Sequence, residues 1–140
     1  MSIMNNNNQR ALCQQLWAEN KYLVLSHSSN IYKDIRQYLK QEVVELSQVQ
    51  EMIDRACQIP EHRGQVCNAF QHIWGYFKKI ATLEEKEAYL TTLAQLAGGH
   101  DQLGPFLKGL TVKYQVAYLL QSRLIRELDD STGFSDLTPQ

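Results

Sequence analysis

The residue types in this chain that could do chemistry are concentrated in the stretch NAFQHIWGYFKK, residues 68–79. At 100° per residue, a helix here turns its apolar residues to one side and leaves a polar set opposite: Asn68, His72, Gly75 and Lys79. Histidine titrates near neutrality, so His72 is the candidate acid or base, while Asn68 could hydrogen-bond a ligand and Lys79 could supply charge. The spacing therefore indicates a candidate binding face on an apolar helix.

Three interpretations of this polar face remain open: the lining of a pocket, a solvent-facing surface, or a contact with a second helix. Gly75 bears on the choice because a glycine inside a helix costs about 1 kcal/mol relative to alanine and admits a close approach to its backbone. If the face lines a pocket, Tyr76 or Trp74 supplies an aromatic wall. Lys78 and Lys79 could hold an anion, although cations in the last turn of a helix also complement its dipole.

Polar residues interrupt apolar stripes elsewhere in the chain. Asn20 and His27 fall on the stripe of the first predicted helix, and Tyr114, Tyr118 and Gln121 fall on or beside the stripe of the last one. A buried polar group without a partner costs about 1–3 kcal/mol, so each of these residues needs one. They either form a structural network or converge on one cavity. In the second case His27, Tyr118 and Gln121 join the candidate ligand-binding residues.

The spacing of metal-ligating and nucleophilic residue types gives little support for a metal site or a catalytic centre. Cys57, His62, Cys67 and His72 recur every five residues, a step that turns about 140° on a helix, whereas paired helical ligands need a spacing of three or four. No triad or elbow motif frames Cys67, whose default role is that of a small buried thiol. We therefore predict no metal, no cofactor and no catalytic residue. The balance of these observations is against enzymatic activity, which stays open.

Composition narrows the classes of partner. The formal net charge is −1, which argues against nucleic-acid binding through phosphate neutralisation, since that needs a clustered excess of Lys and Arg. Three cysteines without a Cys-x-x-Cys do not form a disulfide framework. The chain shows no signal-peptide pattern and no apolar run near the roughly 18 residues of a membrane span. We expect a cytoplasmic protein with reduced thiols.

Helical periodicity runs through the whole chain, and no alternating strand pattern of useful length occurs. We predict one all-α domain, an irregular bundle of five to six helices over residues 9–128, between a frayed start at 1–8 and a flexible tail at 129–140. Asn8 is the expected cap of the first helix, Thr82–Glu85 reads as a capping box, and Gly98 and Gly99 end that segment. The apolar stripes of the first, second and last expected helices run over residues 12–24, 31–39 and 106–128, and the other expected helices lie near residues 46–57, 61–80 and 82–98.

Three stretches together resemble the YbgA-like domain family of bacteria. They are LWAENKYLVLSHSSNIY (16–32), NAFQHIWGYFKK (68–79) and YQVAYLLQS (114–122), and the similarity covers about residues 10–122. The resemblance implies an all-helical domain of uncharacterised function, often fused behind an iron–sulfur domain similar to 2-thiouracil desulfidases. This chain has no suitable cysteines for such a cluster, so what the resemblance implies here is an association with thiopyrimidine desulfuration rather than the reaction itself.

Three functional hypotheses follow. The first is an accessory module that holds a pyrimidine-like ligand beside a separate desulfidase-type protein, using the candidate residues His72, Asn68, Lys79, Tyr76, Gly75, His27, Tyr118 and Gln121. The second is a structural or interaction module that forms a homodimer through exposed aromatic residues. The third is a small-molecule enzyme with His72 as its acid or base, which would require a second catalytic group in a cleft.

Overall fold

The computed structural model describes residues 6–128, and this range is entirely helix, turn and loop. The helices are α1 (Asn6–His27), α2 (Ser29–Tyr38), α3 (Leu46–Gln58), α4 (Arg63–Trp74), α5 (Leu83–Ala97), α6 (Leu103–Lys113), α7 (Ala117–Leu120) and α8 (Arg123–Arg126). No strand occurs within 6–128, so the all-α prediction is confirmed. The first six helices have ten residues or more, in agreement with the predicted five to six, and the last two have four residues each.

The helix α1 lies at the centre of the bundle. Residues 22–26 are five consecutive buried positions, and because successive residues of a helix point 100° apart, this part of α1 is enclosed on every side. The surrounding helices are α2, α3, α4 and α8. A helix that is buried all round must satisfy its polar side chains within the protein.

Asn20 shows how α1 satisfies a buried polar side chain. It is only 2% exposed. Its Nδ2 donates to the Leu16 carbonyl at 2.8 Å, and its Oδ1 accepts from Arg123 Nη1 at 2.8 Å. The second bond joins α1 to α8 across 103 residues of sequence. For Asn20 the structure therefore favours the network alternative over a shared cavity.

Local capping signals are confirmed where the sequence displays them. The capping box is complete, with Glu85 N donating to Thr82 Oγ1 at 3.1 Å and Thr82 N donating to Glu85 Oε1 at 2.9 Å. Ser28 Oγ caps α2 by accepting from Ile31 N at 3.1 Å. Gly99, with φ at +101°, takes the left-handed conformation that closes α5.

Two expected helix starts lie elsewhere in the structure. The helix α1 begins at Asn6, so Asn8 lies inside it and is not its cap. The helix α4 begins at Arg63 rather than at Glu61, with His62 as its N-cap: His62 Nδ1 accepts from Gly64 N at 3.1 Å. Of the predicted terminal segments, residues 1–5 and 129–140 lie outside the described range.

The predicted helix over 61–80 ends six residues early. Gly75 is the C-cap of α4, with φ −53° and ψ −24°, and not a mid-helix glycine. Beyond it, Tyr76 N and Phe77 N donate to carbonyls three residues back, which tightens the turn from 100° toward 120° per residue. The helical projection therefore fails beyond Trp74, and the apolar residue Ile80 is 52% exposed.

The single long helix expected over 106–128 is wrong, because the structure divides this range into α6, α7 and α8. The first break is at Gln115, a non-glycine residue with φ at +53°. Val116 N donates to the Thr111 carbonyl at 3.2 Å, the six-to-one hydrogen bond of a Schellman cap. The apolar spacing continues through this break, so periodicity alone cannot reveal it.

Glu85 connects the start of α5 to the end of α6. Its carboxylate accepts hydrogen bonds from Lys113 Nζ and from the Tyr114 hydroxyl, each at 2.5 Å, besides the bond from the Thr82 backbone. The hydrogen bond from Lys113, followed by those from Tyr114 and Thr82, lowers the pKa of Glu85 to about 2.

Within 6–128, no helix combines the length and apolar character needed to cross a bilayer.

We predict that Gln115→Gly stabilises the protein by about 0.5–1 kcal/mol, because glycine removes the cost of a left-handed residue with a side chain. Gly99→Ala makes the reverse change, since it adds a side chain at a residue with positive φ. Its new Cβ would lie 3.2 Å from an Arg63 guanidinium nitrogen at a φ that alanine disfavours, so it should destabilise the protein. Urea unfolding of both variants checks the pair. Equal stability of Gln115→Gly and the wild type would contradict the strain at this position.

We predict that Glu85→Gln lowers stability at pH 7 and that the difference disappears in acid. The folded-state pKa of Glu85 is depressed, so its carboxylate stabilises the fold above the unfolded-state pKa. That contribution is lost as the pH falls from about 4.3 toward the folded value. Urea midpoints at pH 7, 4 and 2.5 measure it. Glu84→Gln, at an exposed first-turn position, is the control and should show a much smaller difference.

Candidate functional site

A cavity of about 280 Å³ lies between the end of α4 and α5. Trp74 is the last residue of α4, and Lys78 lies in the turns that follow it. Lys86, Tyr89 and Leu90 come from α5, where spacings of three and four place them on one face. These five residues line the cavity, which we call the Trp74 pocket.

The apolar part of the Trp74 pocket is formed by two stacked rings. The centroids of Trp74 and Tyr89 lie 4.2 Å apart with an interplanar angle of 6°. Both side chains are buried, so a ligand would contact their edges rather than insert between them. Burial, with a smaller effect of the Cys67 thiol, raises the pKa of Tyr89, which keeps its hydroxyl protonated. Leu90, 64% exposed, extends the apolar surface toward solvent.

Two cations complete the lining of the Trp74 pocket. Lys78 and Lys86 are both exposed, and neither forms an ion pair or a side-chain hydrogen bond with any residue in the described range. Lys113, by contrast, is paired with Glu85. Two uncompensated ammonium groups over an apolar surface suit a ligand that is flat, partly apolar and negatively charged. The cavity lies at the lower end of ligand-pocket volumes, which favours a single-ring molecule.

The polar face predicted from the motif does not line this pocket. His72, Gly75 and Lys79 are exposed and Asn68 is half-buried. Because α4 ends at Trp74, Lys79 does not continue the helical row of Asn68 and His72. Among residues 6–128, no side chain hydrogen-bonds the His72 ring, so the structure supplies no partner for the acid–base hypothesis. Ligand binding by these four residues stays a prediction.

Tyr76 and Tyr118 are the two predicted site residues that the structure brings together. Their rings stack at 6.0 Å with an interplanar angle of 18°. The Tyr76 hydroxyl lies 3.1 Å from the Tyr22 hydroxyl of α1, and these two rings meet edge to face at 6.5 Å. Tyr22, Tyr76 and Tyr118 form what we call the tyrosine cluster. None of these three tyrosines lines the Trp74 pocket, so the two sites share no residue.

His27 and Gln121 take part in contacts between segments instead. His27 Nδ1 donates to the Ile59 carbonyl at 2.6 Å, and its Nε2 lies 3.8 Å from a Glu61 carboxylate oxygen. Gln121 Oε1 accepts from Gln15 Nε2 at 3.0 Å, which joins it to α1. Neither residue lines the Trp74 pocket. Their contribution to ligand binding also stays a prediction.

Comparison with known proteins places the chain in a family. A family model described as protein of unknown function (DUF1722) matches residues 21–127. The chain belongs to this family. YbgA-like domains are members of DUF1722, so the resemblance is confirmed. The matched residues include both the Trp74 pocket and the tyrosine cluster. No curated protein and no solved structure matches the chain.

Sequence reasoning missed three residues of the pocket in this DUF1722 domain. It named Trp74 as an aromatic wall and Lys78 as a possible anion ligand, but not Lys86, Tyr89 or Leu90. The only available signal was their spacing on one face of α5, directly after the capping box. That signal is weak, because the spacing equally suits a core stripe or a solvated face.

Metal-ligating side chains are dispersed in this DUF1722 domain. Within 6–128, no group of three or more His, Cys, Asp or Glu residues is placed to hold a metal ion. The three cysteines are free: Cys13 is buried, and Cys57 and Cys67 are half-buried. Burial raises the pKa of both Cys13 and Cys57, which disfavours their thiolate forms.

Proposed function

We propose that this DUF1722 domain is a binding module that holds a small planar anion in the Trp74 pocket. One observation carries the proposal: Lys78 and Lys86, both without an ion-pair partner in the described range, flank an apolar cavity based on the Trp74–Tyr89 stack. An anionic group on the ligand would neutralise the ammonium groups, and its ring would cover the apolar edges.

The expected binding free energy is that of a weakly and reversibly bound ligand. Burying about 100 Å² of an apolar ring contributes ~2.5 kcal/mol. Two partly exposed ion pairs add ~1–2 kcal/mol. A total of ~4 kcal/mol corresponds to a Kd of roughly 1 mM if ligand hydrogen bonds offset the entropy cost of association. Titrations should therefore reach several millimolar.

Family resemblance supplies the first ligand class to test. Domains like this one are often fused to parts similar to 2-thiouracil desulfidases, and a pyrimidine ring fits a cavity of about 280 Å³. We therefore extend the proposal to pyrimidine-like ligands, with the module acting beside a separate desulfidase-type protein in the bacterial cytoplasm. Support for that association comes from the resemblance, whereas support for an anionic ligand comes from the lysines.

We predict that orotate, a pyrimidine carboxylate, binds the Trp74 pocket more tightly than uncharged uracil, with 2-thiouracil as the third probe. In a Trp17→Phe background Trp74 is the sole tryptophan, so its single indole N–H signal in the proton NMR spectrum reports the pocket directly. Lys78→Gln and Lys86→Gln should each weaken orotate binding about threefold to fivefold, as expected for a partly exposed ion pair. Lys33→Gln, an exposed lysine of α2, is the matched control.

Two outcomes decide this proposal. If none of the three probes shifts the Trp74 indole N–H signal at 10 mM or less (about ten times the Kd expected above), or if Lys33→Gln affects binding as strongly as Lys78→Gln, the pocket assignment is wrong. His72→Ala tests the predicted polar face in the same titration. Unchanged affinity confines binding to the Trp74 pocket, and a loss extends the site to the Asn68 and His72 side of α4.

The second candidate function is the homodimer, favoured by exposed leucines on α5. Leu83 and Leu90 are 71% and 64% exposed and lie seven residues apart, which places them on one helix face. Ile80, just before α5, is also exposed. Adjacent exposed apolar side chains of this kind mark interaction surfaces, and a second copy of the chain could cover them.

We predict for this alternative a solution mass of twice 16.2 kDa that Leu83→Lys converts to the monomer mass. Leu83 does not line the Trp74 pocket, but Leu90 belongs to both surfaces, so orotate binding is titrated for the monomeric variant as well. Light scattering over a concentration series measures the mass. Val43→Lys, at an exposed apolar position preceding α3, is the control. A wild-type protein that stays monomeric at the highest concentration rules the homodimer out.

A further inference from the structure

A second cationic centre lies at the tyrosine cluster, where Lys21 of α1 approaches two aromatic rings. Its Nζ is 5.5 Å from the ring centroid of Tyr22 and 5.9 Å from that of Tyr118. Lys21 is half-buried, and no carboxylate of the described residues forms an ion pair with it. Cation–π contacts stabilise an ammonium group, but they leave its charge uncompensated.

Arg36 of α2 adds a second positive charge to this region. Its guanidinium carbon lies 5.8 Å from the ring centroid of Tyr32. Burial, and then the charge of Arg36, lower the pKa of Lys21, which means that the two cations are close enough to repel each other. Neither cation forms an ion pair with an acid in the described range. Two neighbouring cations without a carboxylate are a favourable environment for an anion.

The hydroxyl groups of the cluster have protons left to donate. The Tyr22 and Tyr76 hydroxyls share one hydrogen bond in which either can donate; when Tyr22 donates, the Tyr76 proton remains available. The Tyr118 hydroxyl has no hydrogen-bond partner among residues 6–128. Burial raises the pKa of Tyr22 and of Tyr118, so both hydroxyls stay protonated donors at neutral pH. Tyr76, Tyr118 and Arg36 are at least partly exposed, which leaves the cluster accessible from solvent.

We infer that Lys21 and the hydroxyls of Tyr76 and Tyr118 form a second binding site, specific for a tetrahedral oxyanion such as inorganic phosphate or a phosphate monoester. No carboxylate of the described residues forms an ion pair with Lys21 or Arg36. Lysine supplies a point charge for a phosphate oxygen, and Arg36 adds positive potential to the region. This inference does not depend on the proposed function, since the two sites share no residue.

The competing explanation is that Lys21 only packs against the tyrosine rings, as a cation–π contact with its stem buried. Substitutions of tyrosine by phenylalanine separate the two explanations. Tyr118→Phe keeps the ring, its stack on Tyr76 and the contact with Lys21, and removes only the hydroxyl. A purely structural cluster would therefore be indifferent to phosphate in the wild type and in the variant.

The experiment titrates inorganic phosphate into the full chain at constant ionic strength, with chloride as the balancing anion. The melting temperature and ³¹P chemical shift are the readouts. We expect phosphate to raise the melting temperature relative to chloride. Lys21→Gln should weaken phosphate binding at least fivefold, Tyr118→Phe about threefold, and Arg36→Gln by a smaller factor than Lys21→Gln. Arg55→Gln is the matched control, since it removes an exposed cation of α3 that belongs to neither proposed site and should leave phosphate binding unchanged.

Each outcome of the titration supports or overturns the site. Phosphate that stabilises the protein no more than chloride overturns it, as does binding that survives Lys21→Gln and Tyr118→Phe unchanged. Melting temperatures of the variants without phosphate show that they are folded. A parallel titration with phenyl phosphate identifies the source of the anion: tighter binding than inorganic phosphate assigns a monoester, and equal binding assigns the free ion. Failure here leaves the orotate experiment at the Trp74 pocket untouched.

Discussion

The complete burial of residues 22–26 in α1 is the constraint on which the rest of the structure depends. Five consecutive buried residues, 22–26, require neighbours in every direction, and α2, α3, α4 and α8 provide them. The buried polar side chains of this helix cannot reach bulk water, so they hold distant segments in place: Asn20 bonds Arg123 of α8, and Tyr22 bonds Tyr76 after α4. The central helix therefore fixes where Arg123 and the tyrosine cluster lie.

The end of α4 distributes its aromatic residues between two sites. Up to Trp74 the backbone is an α-helix, and Trp74 stacks on Tyr89 of α5. After Gly75 the tighter turns direct Tyr76 toward α1 and α7, where it meets Tyr22 and Tyr118. The stretch 68–79 therefore contributes an aromatic ring to each of two cationic centres, one with Lys78 and Lys86 and the other with Lys21. That arrangement accounts for the aromatic character of a motif whose polar face is exposed.

Features that depend on contacts between residues close in the sequence could be predicted, and features that depend on distant residues could not. The capping box at Thr82 and the Ser28 cap were predictable because all their partners lie within three residues. Gly99 and Gln115 both end a helix in a left-handed conformation, but only the glycine marks its turn in the sequence. At Gln115 the apolar spacing runs on unbroken, so α6, α7 and α8 looked like one helix. The predicted position of Lys79 on the polar face of α4 was wrong for a related reason, because the helix ends at Trp74 and the helical projection is not valid beyond it.

The sequence by itself determined the all-α class, the first six helices to within a few residues at most ends, and, through three short stretches, membership of the DUF1722 family. These follow from periodicity, local hydrogen bonding and recognisable motifs. The tertiary structure alone decided which lysines lack an acid, that Trp74 stacks on Tyr89, and that Tyr76 meets Tyr118. Such facts depend on how helices cross and on distances between elements far apart in the chain, and local patterns contain no information about either.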